Sequence, residues 1–266
     1  MFFLRYPGSK RKYYNSLLEY IPSKESIEGR YIEPFVGSGA IYLFLHPQRA
    51  ILSDINKELI DLYKGIKRDP LKVWGFFYSF PTGKEAYYNI RDSKYKSACI
   101  AYRAARILYL NRTCFKGMWR HNANGKFNVG YGGEERRWAI NKKNLGDLST
   151  DLKKSIIYCD DFELILLKAN DGDFIFLDPP YKPGEKEMKH AHYSFGKFTF
   201  ADQVRLANCI KRLSKEKKVC WVMTNSCHPE IRNLYKDFTI KKMKRGVSNK
   251  IGVSTGKSKE IIIKNF

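Results

Sequence analysis

The sequence has 266 residues, of which 43% are hydrophobic and 29% are charged. This length accommodates one large α/β domain with an insertion, or two modest domains, around a substantial core. No stretch approaches the roughly 18 apolar residues of a membrane span, and the basic residues near the N-terminus follow its apolar start, unlike those of a signal peptide. We therefore expect a soluble enzyme in the cytoplasm.

The net charge of +22 is unevenly distributed along the chain. Residues 84–154 carry +10 and residues 211–266 carry +11, whereas residues 1–83 carry +4 and residues 155–210 carry −3. Two basic blocks around an acidic stretch suit a surface that grips a polyanion near a carboxylate-bearing reaction centre. A generally basic protein would explain the total but not the acidic middle, so the distribution favours a nucleic-acid partner.

The six cysteines and five histidines do not form a metal-binding pattern. No two cysteines have C-x-x-C spacing, which argues against zinc ribbons, iron–sulfur centres and disulfide frameworks. His190 and His192 are a possible ligand pair, but two histidines in a short polar loop are more often solvated. We expect no metal.

The first elements predict the start of a mostly parallel sheet. Residues 31–35 predict a strand that enters a glycine-rich turn, and residues 41–45 supply an apolar helical face. Residues 50–56 predict a buried strand with a polar tip, and residues 57–67 have helical spacing of apolar residues. This β-α-β-α order is typical of a parallel α/β sheet.

From residue 67 to residue 152 the pattern changes, because charged and aromatic residues dominate. Residues 97–110 predict a helix there, and residues 125–133 predict a loop or short hairpin. Sheet elements then resume, with strands and helices predicted at residues 155–159, 173–177, 201–215, 219–223, 229–235 and 259–264. We therefore predict an α/β fold with a Rossmann-like, mostly parallel sheet and an inserted, mainly helical domain.

Candidate ligand groups lie at the ends of the predicted strands, where open parallel sheets bind their ligands. Gly37-Ser38-Gly39 permits close approach of the backbone to a ligand, but it lacks the third glycine of a dinucleotide fingerprint and the lysine of a P-loop. Asp54, at the end of the next strand, suits the two ribose hydroxyls of an adenosine moiety. The alternative is that Asp54 caps the following helix. Asp160-Asp161 and Asp178 lie at two further strand ends.

Asp178-Pro179-Pro180-Tyr181 is the sharpest motif in the sequence. The two prolines fix the backbone and remove two amide donors, so the loop offers the Asp178 carboxylate and a proline carbonyl as neighbouring acceptors. Two acceptors draw an aromatic amine towards tetrahedral geometry and relocalise its lone pair for attack on an electrophilic methyl group. The Tyr181 ring suits stacking of an extruded base. A double proline after a strand is otherwise only a sharp exit.

In their order, these motifs resemble the Dam-type class of DNA adenine-N6 methyltransferases over almost the whole chain. The resemblance rests on residues 5–10 (RYPGSK), 33–40 (EPFVGSGA), 53–56 (SDIN), 161–162 (DF), 178–181 (DPPY), 224–226 (TNS) and 259–263 (KEIII). It implies S-adenosylmethionine as the cofactor, duplex DNA as the partner and a methyltransferase sheet. With the sequence pattern, it gives a catalytic domain of residues 1–66 and 153–266 and a DNA-recognition domain of residues 67–152.

The resemblance also implies the site residues. The catalytic residues are Asp178, Pro179, Pro180 and Tyr181, and the cofactor-binding residues are Tyr6, Lys10, Phe35, Gly37, Ser38, Gly39, Asp54, Ile55, Asp161, Phe162 and Asp178. Without it, residues 10–12 would be interpreted as a solvated basic run.

Residues 110–129 interleave aromatic, amide and guanidinium groups in a predicted hairpin, and these are tools for reading DNA. The resemblance makes Arg120 the guanine reader, Met118 an apolar base contact and Phe115 an intercalating ring. The full DNA-binding set is Arg112, Phe115, Lys116, Met118, Arg120, Asn122 and Asn128. The alternative is that Phe115, Met118 and Trp119 form the core of the insert.

Two departures from the family pattern concern the recognised sequence. GATC-specific members typically have Asn-Gly and Asn-Val-Pro where this chain has Lys116-Gly117 and Asn128-Val129-Gly130. Adenine methylation is therefore the firmer expectation and GATC the weaker one. Two alternatives stay open: an RNA or protein-amide methyltransferase, and a catalytically inactive DNA-binding paralogue. We expect a monomer or weak dimer in a bacterial cytoplasm or phage-infected cell, with a cognate restriction endonuclease as a possible, separately acting partner.

Overall fold

The computed structural model of the protein describes residues 4–6, 8–122, 125–181, 198–243 and 260–266. The helices in this part of the chain are α1 (Tyr14–Leu18), α2 (Tyr42–Leu45), α3 (Lys57–Arg68), α4 (Pro70–Ser79), α5 (Lys84–Asp92), α6 (Ile100–Thr113), α7 (Lys142–Lys153), α8 (Phe162–Leu166), α9 (Phe200–Glu216) and α10 (Pro229–Leu234). The strands are β1 (Tyr31–Glu33), β2 (Ala50–Ser53), β3 (Ser155–Tyr158), β4 (Phe174–Leu177), β5 (Cys220–Ser226), β6 (Thr239–Lys242) and β7 (Glu260–Lys264).

The seven strands form one sheet in the order β3-β2-β1-β4-β5-β7-β6. The first five in this order are parallel, and β7 is antiparallel to both β5 and β6. The chain winds outwards from β1 to β3 and then returns to β4 on the other side of β1. Strand order therefore reverses between β1 and β4, which is where an open α/β sheet leaves a crevice for ligands.

The central strands are apolar on both faces, as strands covered by helices on both sides must be. Along β4, Phe174 and Phe176 join one hydrophobic cluster, whereas Ile175 and Leu177 join the other. The second cluster contains the apolar face of α9, and the first contains residues of α3 to α7. Two hydrophobic layers thus hold the sheet, and they fix the strand ends that carry the polar groups.

Helices α4 to α6 lie within residues 67–152, and α7 extends one residue beyond this range. Helices α4, α6 and α7 pack directly on α3, and α5 packs on α6. Gly65 of α3 lies so close to α6 that a Cβ at this position would be 2.5 Å from the Cβ of Ala104. This glycine is required because it permits a close approach of two helix backbones. The helices of the predicted insert therefore share one continuous core with β1 and β2.

The α/β class and the mostly parallel sheet agree with the prediction, and every predicted strand is present. Strand β6 was not predicted, since its four residues Thr239–Lys242 are largely exposed and lack an apolar pattern. The helix predicted at residues 97–110 lies instead at Ile100–Thr113. Residues 111–113 are therefore helical and do not belong to a hairpin, because their buried side chains pack in the last turn of α6.

After α6, the predicted hairpin is irregular. Isolated antiparallel bridges join Cys114 to Tyr131 and His121 to Phe127, and Asn128 N donates to the Arg120 carbonyl. Among the described residues, this segment contains no regular strand. Its conformation depends on a few hydrogen bonds between its two arms and on the packing of buried Trp119, Phe127 and Val129.

Two further expectations concern the part of the chain that the structure describes. None of its helices has the length and apolar character needed to cross a bilayer. It also contains no cluster of three or more His, Cys, Asp or Glu side chains with metal-binding geometry. His190 and His192, the possible ligand pair, lie outside the described residues, as do Pro7 and Lys259.

Candidate active site

The 178–181 loop begins where β4 ends, at the reversal of strand order. In the part of the chain that the structure describes, two side chains contact the Asp178 carboxylate: Lys10 Nζ lies 3.0 Å from Oδ1, and Thr224 Oγ1 donates to the same oxygen at 2.6 Å. Thr224 lies on β5, next to β4 in the sheet. Because both contacts fall on Oδ1, Oδ2 of Asp178 is the oxygen that receives no donor from the described residues.

Lys10 is buried and faces two carboxylates and one aromatic ring. Its Nζ lies 3.7 Å from Glu260 Oε2 on β7 and 4.6 Å from the centre of the Tyr181 ring. Burial opposes the charge on Lys10, but the carboxylates of Asp178 and Glu260 outweigh this effect and raise its pKa above the usual value. Lys10 therefore stays protonated and balances two negative charges in a partly dry site.

Tyr181 is held at its hydroxyl end, since its OH donates to Glu260 Oε2 at 3.1 Å. Burial, together with the Asp178 and Glu260 carboxylates, raises the pKa of Tyr181 well above its ordinary value. The phenol therefore remains neutral, and its ring orientation is fixed. Glu260 was part of the tail motif in the sequence, but no spacing could show that it reaches this loop.

The glycine turn and Asp54 meet at the neighbouring strand ends. Gly37 N donates to Asp54 Oδ2 at 3.1 Å, and Asn56 N donates to Asp54 Oδ1 at 2.9 Å. Burial raises the pKa of Asp54 to about 6 despite these two hydrogen bonds. Asn56, not Asp54, caps α3, because its side chain accepts from Glu58 N and Leu59 N. The helix-capping alternative for Asp54 is therefore wrong.

The N-terminal element lies against the glycine turn. Gly37 has a positive φ of 46°, and a Cβ there would be 3.3 Å from the Tyr6 ring. Ser38 Oγ donates to Ser9 Oγ at 3.0 Å. The Tyr6 ring also packs on Trp119 of residues 110–129, the predicted recognition segment, with ring centres 5.3 Å apart. The N-terminal element thus bridges the glycine turn and the recognition segment.

An aromatic cluster lies beside this turn. Phe35 packs on Phe162 and Phe198, with ring centres 5.5 and 5.8 Å away. Phe162 itself is buried at the start of α8, whereas Ile55 beyond Asp54 is 59% exposed. Phe198 precedes α9 and was not predicted, because one aromatic residue between helices carries no signal of its partners in space.

Asp161 makes a different set of contacts from the other strand-end carboxylates. It caps α8 by accepting from Glu163 N at 3.0 Å, and Arg205 NH2 of α9 lies 2.9 Å from its Oδ2. The Arg205 guanidinium also covers the Phe162 ring at 4.4 Å. Asp161 therefore fixes α8 and the Phe162 ring beside the predicted cofactor site.

Of the seven predicted DNA-binding residues, three have exposed side chains: Phe115, Lys116 and Asn122. Phe115 is 48% exposed, and Lys116 Nζ lies 5.2 Å from its ring centre. Trp119 is buried, so the core alternative fits Trp119 but not Phe115. Met118 is intermediate, since it is partly buried and packs against the core cluster.

The two arginines of this segment differ in their surroundings. Arg120 is partly exposed and oriented by Asn128, which accepts from Arg120 Nε through its side chain at 2.9 Å and from an NH2 group through its carbonyl at 3.2 Å. Arg112 is buried, and burial together with the charges of Arg5 and Arg136 lowers its pKa. Its buried Nε has no hydrogen-bond partner among the described residues.

Comparison with known proteins identifies the class. The family model of the D12 class N6 adenine-specific DNA methyltransferases matches residues 6–249, so the chain belongs to this family. The resemblance to Dam-type enzymes is confirmed, and the protein is an enzyme that methylates adenine at N6 in DNA. The alternatives of an RNA or protein-amide methyltransferase and of an inactive paralogue lack this support.

Several relatives match over most of their length. The chain is 34% identical to the Type II methyltransferase M1.LlaDCHI of Lactococcus lactis subsp. cremoris, over 99% of this chain and 95% of the relative. It is also 34% identical to the Type II methyltransferase M.MjaIII of Methanocaldococcus jannaschii, over 99% and 98%. Its identity to the DNA adenine methylase of Vibrio cholerae is 28%, over 88% and 84%.

Proposed function

We propose that this DNA adenine-N6 methyltransferase uses S-adenosylmethionine and activates the adenine amine with Asp178 and a proline carbonyl of residues 178–181. The contacts of Asp178 carry the proposal. Among the described residues, Lys10 and Thr224 both bind Oδ1 and none donates to Oδ2, which supports Oδ2 as the acceptor of the amine. Lys10 places a positive charge 3.0 Å from Oδ1, and Thr224 fixes the orientation of the carboxylate, as a preorganised acceptor requires.

The residues at the β1 and β2 ends fit S-adenosylmethionine. Each Asp54 oxygen accepts one backbone N–H and retains a lone pair for a ribose hydroxyl. The space between Gly37 and the Tyr6 ring would be invaded by any Cβ at position 37. Phe35 and the exposed Ile55 offer apolar surface to an adenine ring, and Phe162 packs against Phe35 with ring centres 5.5 Å apart. We place Asp161 and Phe162 in the same cofactor site. When bound, S-adenosylmethionine supplies an electrophilic methyl group.

The chain's own residues position the target base. The Tyr181 ring, whose hydroxyl is fixed by Glu260, provides a stacking surface for the extruded adenine. The charge of Lys10 against this ring, at 4.6 Å, holds it in place. With the base stacked there, Oδ2 of Asp178 and a proline carbonyl accept the two amine hydrogens and direct the nitrogen lone pair at the methyl group.

We further propose that residues 67–152 form the DNA-recognition domain, inserted between residues 1–66 and 153–266 of the catalytic domain. The exposed Phe115 serves as the wedge that fills the gap of the extruded base, and Arg120, oriented by Asn128, reads a guanine. GATC is the proposed recognition sequence. Lys116 and Gly130 are the positions at which this chain departs from the pattern of GATC-specific members. Methylation-sensitive sequencing of DNA from expressing cells tests the sequence directly.

The biological setting is also a proposal. Duplex DNA is the partner, and the enzyme acts in the cytoplasm beside it as a monomer or weak dimer. Two of the relatives are named Type II methyltransferases, which supports a cognate restriction endonuclease that acts separately.

The Asp178→Ala variant tests the catalytic proposal. We expect the single-turnover methylation rate constant to fall at least about 100-fold, because an acceptor that acts in the transition state is lost. Duplex affinity, measured by fluorescence anisotropy, should change by less than about threefold. Asp147→Asn, on the exposed face of α7, is a control with unchanged turnover. Methylation by Asp178→Ala at the wild-type rate would disprove the mechanism.

A further inference from the structure

A line of buried amide groups joins β5 to the 178–181 loop. Gln203 Nε2 on α9 donates to the Pro180 carbonyl at 2.8 Å, and Asn225 Nδ2 on β5 donates to Gln203 Oε1 at 3.1 Å. Both side chains are almost completely buried, at 1% and 0% exposure. Buried amides of this kind are costly unless they are paired, so the contacts are structurally demanding.

The backbone of Ser226 determines which amide groups in this series donate and which accept. The backbone N–H of Ser226 donates to Asn225 Oδ1 at 2.8 Å, so the Nδ2 group of Asn225 must point towards Gln203. Gln203 therefore presents its oxygen to Asn225 and its NH2 group to Pro180. A backbone N–H can only donate a hydrogen bond, so the orientations of the Asn225 and Gln203 amides follow from it.

Among the described residues, few other hydrogen bonds hold the backbone of this loop. Pro179 and Pro180 have no N–H, so neither residue donates a hydrogen bond to the sheet. Gln203 occupies the carbonyl of Pro180, whereas no described donor reaches the carbonyl of Pro179. Thr224, adjacent to Asn225 on β5, meanwhile binds Asp178 at the start of the loop. One strand thereby secures both the carboxylate and, through Gln203, the second proline.

We propose that Gln203 and Asn225 are positioning residues that fix the Pro180 carbonyl, so that the Pro179 carbonyl and Asp178 Oδ2 face the adenine amine as a preorganised pair. The inference rests on the proposed function of residues 178–181. It gives a positioning role in catalysis to two buried residues that act through Pro180 and not through contact with substrate. We expect the two residues to affect the rate constant of methyl transfer, because a displacement of about 1 Å in such a pair of acceptors slows the reaction strongly.

The test compares three variants in the full-length protein. Gln203→Leu removes the donor, Asn225→Asp removes the group that orients Gln203, and Gln203→Glu replaces the amide with an acid of the same shape. We expect the single-turnover rate constant to fall about 10- to 100-fold in each at pH 8. Dissociation constants for duplex DNA and S-adenosylmethionine should stay within about threefold. Asn208→Asp, at an exposed amide on the same helix, is the matched control and should retain the wild-type rate.

The pH profile of Gln203→Glu separates positioning from general damage. When protonated, the new carboxyl group donates to the Pro180 carbonyl and still accepts from Asn225, so it restores the line of hydrogen bonds. Burial next to a carbonyl oxygen favours this neutral form. The rate of the variant relative to wild type should therefore rise between pH 8 and pH 6, while the deficit of Gln203→Leu stays constant.

Two outcomes overturn the inference. One is that Gln203→Leu and Asn225→Asp, folded by circular dichroism, keep rates within twofold of wild type. The other is that Gln203→Glu shows the same rate ratio to wild type at both pH values, a comparison that holds even if Gln203→Leu does not fold. A failure of the proposed function is distinguishable, since it would appear as turnover in Asp178→Ala.

Discussion

Asp54→Asn should make the free protein more stable while it abolishes tight cofactor binding. Burial raises the pKa of Asp54 from 3.8 to about 6, which corresponds to about 3 kcal/mol spent on keeping a charged carboxylate in the fold above pH 6. The amide carries no charge and avoids this cost. It accepts only one of the two N–H groups of Gly37 and Asn56, which costs about 1 kcal/mol. We expect a net gain of about 1–3 kcal/mol in the free energy of unfolding.

The sign of the pH dependence follows from the direction of the shift. The folded protein holds the Asp54 proton more tightly than the unfolded chain, so its stability falls as pH rises from about 4 to about 6 and is then constant with respect to this group. The advantage of Asp54→Asn should therefore be largest above pH 6 and vanish near pH 4.

Urea unfolding followed by circular dichroism, at several pH values between 4 and 8, measures this difference. Isothermal titration calorimetry at pH 7.5 should show at least a tenfold loss of S-adenosylmethionine affinity. Asp147→Asn, at an exposed carboxylate, is the control and should change the unfolding free energy by less than about 0.5 kcal/mol. The reasoning would be refuted by an Asp54→Asn variant that is less stable than wild type at pH 8. It would also be refuted if the difference in unfolding free energy between variant and wild type were the same at every pH.

Three other changes test the rest of the site. Lys10→Met leaves Asp178 and Glu260 without their shared cation, so the single-turnover rate constant should fall about 100-fold. The same change should lower the Tm, and an additional Glu260→Gln substitution should recover part of that loss. Phe35→Ala removes apolar surface and should raise the KM for S-adenosylmethionine about tenfold with less change in kcat, a split that steady-state kinetics resolves. Duplex affinity should fall steeply and linearly in log–log form between 50 and 200 mM salt, because Lys and Arg side chains displace counterions; a flat anisotropy response would contradict phosphate contacts by the basic blocks.

The strands at the sheet centre were predictable because their burial produces continuous apolar runs, and Asp54 and Asp178 were found as the polar groups that end such runs. Strand β6 was missed because a short, exposed edge strand is stabilised by its pairing with β7 and not by its own composition. The exact course of residues 111–131 was also unpredictable, since a few isolated bridges determine it.

Contacts between distant residues account for the rest of the site. Without the family resemblance, Lys10 looks like an ordinary surface charge in the sequence, as Glu260 does. Only the fold brings the two side chains together next to Asp178. Gln203 likewise occupies an unremarkable helical position, and its hydrogen bond to Pro180 depends on how α9 packs against β4 and β5. Local patterns locate the groups that meet substrate more readily than the side chains that hold those groups.

The contact between Lys10 and Glu260 joins residues that are 250 positions apart in the sequence. During synthesis, the ribosome therefore makes the glycine turn, the recognition segment and the DPPY loop long before the carboxylate that holds Tyr181. A nascent chain, or one that stops early at a nonsense codon, lacks β7 and hence the finished active site. We expect such products to leave the DNA unmethylated even where they bind it.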